Sequence, residues 1–152
     1  MNSFHRKNIC LSAAIASALT TGMAQAAIDE IIVTANKREQ SLQDVPVSVT
    51  VTSGETIQRA SIVDLVDLQT SVPSLRVNQL QSSAQTNFTI RGYGNGANNP
   101  GIEPAVTVYI DGVARTRSAS ALADLPTVQR IEVLSGPQST LFGKNASAGV
   151  IS

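Results

Sequence analysis

The sequence predicts an α/β (α+β) fold: a small mixed-sheet domain with short helices and long loops, and no β-barrel in this chain. Three observations carry this reading. Two-residue alternation of apolar and polar side chains marks strands near residues 45–52, 105–110 and 128–134. Capping residues, or a Pro and Gly frame, mark helices of one or two turns between the strands. Stretches such as "GYGNGANNPG" supply Gly- and Asn-bearing loops.

Residues 1–26 read as a secretory signal peptide. His5, Arg6 and Lys7 precede the uncharged run "ICLSAAIASALTTGM", and Ala24-Gln25-Ala26 has the small-x-small pattern of a signal-peptidase site. That run covers only about 22 Å as a helix, against a hydrocarbon core of about 30 Å, so a spanning helix is the weaker reading. Cleavage there leaves nine basic groups against eleven acidic ones, with no cysteine and no histidine. Disulfides, thiolate metal sites and the commonest general base are then excluded. A slight acidic excess, with no basic run interleaved with aromatics, argues against nucleic-acid binding. Residues 27–152 suffice for one domain around a modest aliphatic core.

Along the mature chain, Ile31, Ile32, Val33 and Thr34 form a strand-prone ribbon flanked by the charges of Asp29, Glu30, Lys37 and Arg38. Residues 36–44, "NKREQSLQD", have no period and read as a linker. Val45, Val47, Val49 and Val51 alternate with polar residues and Pro46, as in a strand buried on one face with its proline at the start or on an edge. Ser53 caps a first short helix with Glu55 in its first turn. Ser61, with Asp64 three residues on, caps a second whose inner stripe is Ile62, Leu65 and Val66, and Pro73 stops it. Residues 75–77 and 87–91 are short strands. In "AVTVYIDG", Val106, Val108 and Ile110 share a face and Asp111-Gly112 suits a tight turn. A helical turn is expected over residues 119–124. Residues 128–134 form a strand with Ile131 and Val133 on one side and Arg130 and Glu132 on the other. Pro137 and Gly143 frame a last helix, and "GVIS" begins one more strand.

Motifs for chemistry fall short. "GYGNG" is followed by "ANNPG" instead of a helix, so it is a flexible loop and not a dinucleotide site. Gly143-Lys144 lacks the earlier glycine and the following Ser or Thr of a phosphate loop. Asp64 and Asp67 read as a solvated helix face. With no nucleophile and base in reach of one another, the chain is expected not to be an enzyme, with no cofactor and no metal.

In this order, "DEIIVTA", "LQDVPVSVTV", "TIRGYG", "VTVYIDGV" and "IEVLSGPQSTLFGKNASAGVI" resemble the N-terminal plug domain of the TonB-dependent outer-membrane receptors. The closing stretch, some twenty residues long, is the most specific, and it also fits the strand, helix and glycine stop read from the residues alone. The resemblance implies a plug within a 22-stranded outer-membrane β-barrel, moved when TonB pulls on a short N-terminal box. It implies a cargo such as a ferric siderophore, cobalamin, haem or an oligosaccharide.

On this resemblance Asp29, Glu30, Ile31, Ile32, Val33, Thr34 and Ala35 are the box. Its unpaired main chain would be captured by the TonB C-terminal domain through β-augmentation. The alternative is an ordinary first strand of the domain. Residues 36–44 would be a tether of at most about 30 Å, giving a division into 1–26, 27–44 and 45–152. Arg91 carries over from the family's Arg-Gly loop and Glu132 from its closing signature. Both are candidates for a plug-to-barrel or internal salt link, with exposed surface charge as the alternative. Ser135 stands where many members carry a basic residue, so one plug-to-barrel contact is expected to be missing. Tyr93, Asn95, Asn98 and Asn99 fall on the loop that faces cargo in the family. The alternating segments and aromatic girdles of a membrane barrel are not found in these residues. Three readings follow: the plug part of an outer-membrane receptor, a free-standing periplasmic module that binds TonB, and, as a formal rival only, an exported enzyme.

Overall fold

The computed structural model describes residues 30–95, 101–122, 125 and 127–152. The expected signal peptide, Asp29, Asn98 and Asn99 lie outside them. The described strands are β1 (Ile32–Val33), β2 (Gln40–Ser41), β3 (Ser48–Ser53), β4 (Leu75–Gln79), β5 (Thr86–Ile90), β6 (Val106–Ile110), β7 (Val113–Arg115), β8 (Arg130–Ser135) and β9 (Gly149–Ile151). Short helices α1 (Gly54–Arg59), α2 (Leu65–Leu68) and α3 (Ser139–Phe142) lie between them. Five strands form a mixed sheet in the order β3-β8-β9-β6-β7, in which only β6 and β9 run parallel. Two separate hairpins, β1-β2 and β4-β5, complete the α/β fold, and among the described residues no sheet closes into a barrel.

Local chemistry explains most boundaries. Ser53 caps α1 by accepting the Thr56 amide at 3.3 Å. For α2 the cap is Asp64, not Ser61: its carboxylate accepts the amides of Val66 and Asp67 at 2.7 and 2.9 Å. A carboxylate there also complements the helix dipole, whereas Ser61 sits in a left-handed turn (φ 54°) that precedes the helix. Val66 is only half-buried, and Leu68 takes the inner position instead. Asp111 and Gly112 both have positive φ, so β6 turns back through two residues into β7, a strand the alternation pattern alone did not isolate. Gly143 ends α3 at φ 77°. The helix starts at Ser139 rather than at Pro137, because Gln138 supplies the non-helical cap residue.

The central sheet is buried on both faces, so there are two cores where one was expected. On one face Ile131, Val133, Val106, Val108 and Ile151 pack against α1, α2 and the β4-β5 hairpin, with Leu68, Val72, Leu75 and Phe88 fully enclosed. On the other, Leu134 and Val150 pack against Phe142, Ala146 and three residues of the N-terminal segment, Val33, Ala35 and Val45. Alternation along β8 and β9 sends successive side chains to the two faces, so a strand buried on both sides loses the polar half of its pattern. β9 needs its glycine: a Cβ on Gly149 would meet the Leu134 carbonyl oxygen at 2.4 Å and the Ile90 side chain at 2.6 Å.

The expected unstructured linker is not observed. Residues 34–37 form a turn closed by the Lys37 amide on the Thr34 carbonyl at 2.8 Å, and β2 and a 3-10 turn (Leu42–Asp44) follow. The polar composition of residues 36–44 serves an exposed hairpin return, which has no hydrophobic period to reveal it.

Two stability effects are expected. Leu134→Ala, which empties the centre of the smaller core, lowers the unfolding free energy by about 2–5 kcal/mol in urea titration. Gly149→Ala costs roughly 1–3 kcal/mol in the same titration, because the added methyl has backbone on one side and the Ile90 side chain on the other.

Candidate functional site

The N-terminal ribbon is folded back and docked, not free. Ile32 pairs with Ser41 and Val33 with Gln40. Val33 and Ala35 point into the smaller core, while Ile31 and Ile32 remain exposed. This corrects the expectation of a strand with its main chain wholly unpaired. The pairing is only two residues long, and its hydrogen bonds fall on one side of β1. The Leu42 amide donates to the Ile31 carbonyl at 2.9 Å. Residues 31 and 42, and in step 33 and 40, are therefore the hydrogen-bonded pairs. The main-chain groups of Ile32 and Thr34 then face the opposite, outer edge.

Glu132 holds that outer edge. Its side chain is 2% exposed, and its two oxygens accept the Thr34 amide at 2.8 and 3.0 Å. Oε1 also accepts the Thr34 hydroxyl at 3.2 Å and Arg130 Nε at 2.7 Å. A carboxylate at such depth is tolerable only when paired and hydrogen-bonded, and the β8 neighbour on the same face and the docked ribbon meet that demand together. The Glu132 main chain is bonded in both directions to Ser152, at 2.7 and 2.8 Å. One residue thus joins the end of β9 to the N-terminal ribbon.

Lys37 adds a second hold. Its ammonium lies 5.3 Å from the Phe142 ring centre and 5.9 Å from that of Tyr109. The two rings meet edge to face, and the Tyr109 hydroxyl donates to the Phe142 carbonyl at 2.7 Å. An exposed cation over such rings contributes about 0.5–1 kcal/mol.

Glu132 is in an internal ion pair, but with Arg130 and not with Arg91. Arg91 is exposed. It occupies a tight turn with Gly92, at φ 54° and 82°, that closes the mutual Ile90 and Tyr93 main-chain bonds. Its amide donates to the Ser74 carbonyl and its guanidinium to the Ser48 hydroxyl, each at 2.8 Å. Ser48 is paired with Ser135, so Arg91 reaches the β3-β8 ladder three residues beyond Glu132. Tyr93 stands 76% exposed beyond this turn, and the Asn95 amide group donates to the Glu103 carbonyl. Residues 30–35 and the Arg91–Asn95 loop therefore lie in separate places on the domain.

A groove of about 520 Å³ runs from Thr34 and Glu132 along the gap between the end of β6 and the start of β8. The β9 register stops at Val108 on one side and Val133 on the other. Beyond it, Ile110 and Ile131 wall the groove, with Leu65 and Leu125 contributing apolar surface. Sequence reasoning missed Arg130 and Lys37. The two-residue spacing of Arg130 and Glu132 was the available signal for the first. Lys37 was legible only as a flanking charge, since its aromatic partners are distant in sequence.

Comparison with known proteins places this geometry. The sequence profile of the "TonB-dependent Receptor Plug Domain" family matches residues 41–150. The pesticin receptor of Yersinia pestis is 32% identical over 139 residues, which is 91% of this chain and 20% of that protein. The vitamin B12 transporter BtuB of Vibrio vulnificus is 32% identical over 128 residues, 81% of this chain and 20% of the transporter. Among solved structures, the ferric yersiniabactin uptake receptor FyuA of Yersinia pestis superposes with a TM-score of 0.63 at 33% identity, over 69% of this chain and 16% of the receptor. The chain spans about a fifth of the length of the curated relatives it matches. With a mixed sheet, two cores and this match over most of its length, the chain belongs to the plug-domain family of the TonB-dependent receptors.

Proposed function

We propose that the chain is the gate of an outer-membrane receptor that takes up a ferric siderophore or similarly large nutrient, with TonB binding residues 29–35 by β-augmentation. The family match over residues 41–150 carries the first half of this reading. The relatives named above are two receptors and a transporter, which supports a transport role over an enzymatic one. Their names differ in what is bound, pesticin, vitamin B12 and ferric yersiniabactin, while the plug region is shared. Cargo choice is accordingly assigned to surfaces outside this domain, with Tyr93 and Asn95 as the plug's own contribution on its exposed loop. In this role residues 1–26 direct export, and the domain sits within a 22-stranded barrel in the outer membrane.

The second half rests on the outer edge of β1. A partner strand gains affinity from main-chain bonds and specificity from alternate side chains. Ile32 offers its amide and carbonyl outward, and among the described residues no hydrogen bond uses them on that side. Ile31 and Ile32 add exposed apolar side chains for the partner to cover.

Ile32→Pro removes the outward donor without touching Val33 in the core. Titrated by calorimetry with the TonB C-terminal domain, this variant is expected to bind at least about tenfold more weakly than the unaltered chain. Undiminished affinity would show that residues 29–35 are not where TonB binds.

A further inference from the structure

The Glu132 carboxylate stands where a partner strand would stand. Ile32 and Thr34 both turn their main chain to the outer edge of β1, and Thr34 is fully engaged. Its amide is shared by both Glu132 oxygens and its carbonyl accepts the Lys37 amide. Ile32 is left open, but a partner's ladder that reaches it cannot continue to Thr34 while Glu132 holds that amide. An incoming chain also cannot reach the Thr34 amide in place, because the oxygens that hold it belong to a side chain only 2% exposed.

We infer that Glu132 is a latch on the N-terminal segment: it competes with the partner strand for the Thr34 amide, and the segment is recognised over residues 32–34 only after that carboxylate has let go. This inference rests on the reading of residues 29–35 as the TonB-binding segment. Arg130 is the positioning residue of the latch, since it fixes Oε1 at 2.7 Å and supplies the charge that keeps the carboxylate in place once the ribbon has left. Lys37 is a weaker hold on the far side of the turn. Ser152 pairs with the Glu132 main chain, so movement at the end of β9 reaches the latch directly.

The latch predicts that release and capture change by one factor. If only the unlatched form binds, apparent affinity scales with its population. Glu132→Gln keeps the side-chain volume and one acceptor oxygen but loses the charge. It is expected to raise exchange of the Thr34 amide with deuterium about tenfold and to tighten binding of the TonB C-terminal domain by a similar factor. The amides of Val133 and Val150 report that the sheet is intact, and the double variant Arg130→Gln with Glu132→Gln avoids leaving the arginine unpaired. Thr34 exchange that stays slow while those amides stay protected overturns the latch. So does faster exchange with unchanged affinity. Faster exchange in a chain that, altered or unaltered, never binds the TonB domain overturns the reading of residues 29–35, and the latch as a gate falls with it. The unaltered chain supplies a test free of substitution: saturation with the TonB domain must shift the carbon-13 resonance of the Glu132 carboxyl. An unmoved resonance overturns the proposal.

Discussion

A carboxylate carried into the middle of a sheet has to find donors there, and in this domain the demand of Glu132 organises what surrounds it. Water cannot supply them at 2% exposure. Arg130, two residues back along the same face of β8, gives the charge-assisted bond, and Thr34 gives an amide and a hydroxyl. Leaving such a group unpaired would cost several kcal/mol. The outcome is that a segment with few contacts of its own is tied to the strand pair at the centre of the domain. The same residue is bonded through its main chain to Ser152, so two distant parts of the sequence meet at one residue.

The two cores differ in what they ask of the N-terminal segment. The larger is built from the helices, the β4-β5 hairpin and the sheet, and needs nothing from residues 30–45. The smaller draws Val33, Ala35 and Val45 from that segment, with Leu42 and Val47 packed at its margin. Burying a valine contributes about 2 kcal/mol, while ordering each residue of backbone costs about 1–2 kcal/mol. A two-residue strand and a pair of small apolar anchors are therefore close to balance by themselves. The bonds to Glu132 and the Lys37 contact tip the balance for a segment that burial alone would hold only marginally.

The Arg91–Asn95 loop follows the opposite logic. A non-glycine residue at φ 54° costs on the order of 1 kcal/mol, and the bonds of Arg91 to Ser74 and Ser48 hold it there. Gly94 has no room for a Cβ, which would lie 2.6 Å from the Phe88 carbonyl oxygen. The exposed Tyr93 ring is thus presented from a fixed turn, at a place separate from the docked ribbon.

Much of this was legible in the residues. Alternation at β3, β6 and β8, the cap at Ser53, the Asp111-Gly112 turn and the Gly143 stop are local, and each is decided by sterics or by one hydrogen bond within a few residues. The motifs around Arg91 and Glu132 pointed to the family for the same reason, since they are contiguous. What the sequence could not reveal is decided by contacts between distant residues. The linker folds because Gln40 and Ser41 meet Val33 and Ile32 across a turn. The second core exists because β9 is inserted between β6 and β8 and turns alternate side chains to a second layer. Glu132 reaches Thr34, 98 positions away in sequence, and Arg91 reaches Ser48 and not Glu132, because packing between distant segments sets where the ribbon and the loop dock on the sheet. Sequence alone determined the central strands, the Ser53 cap and the Asp111-Gly112 and Gly143 turns; the tertiary structure decided which main-chain groups are bonded and which stay open, because hydrogen-bond occupancy depends on what lies opposite in space.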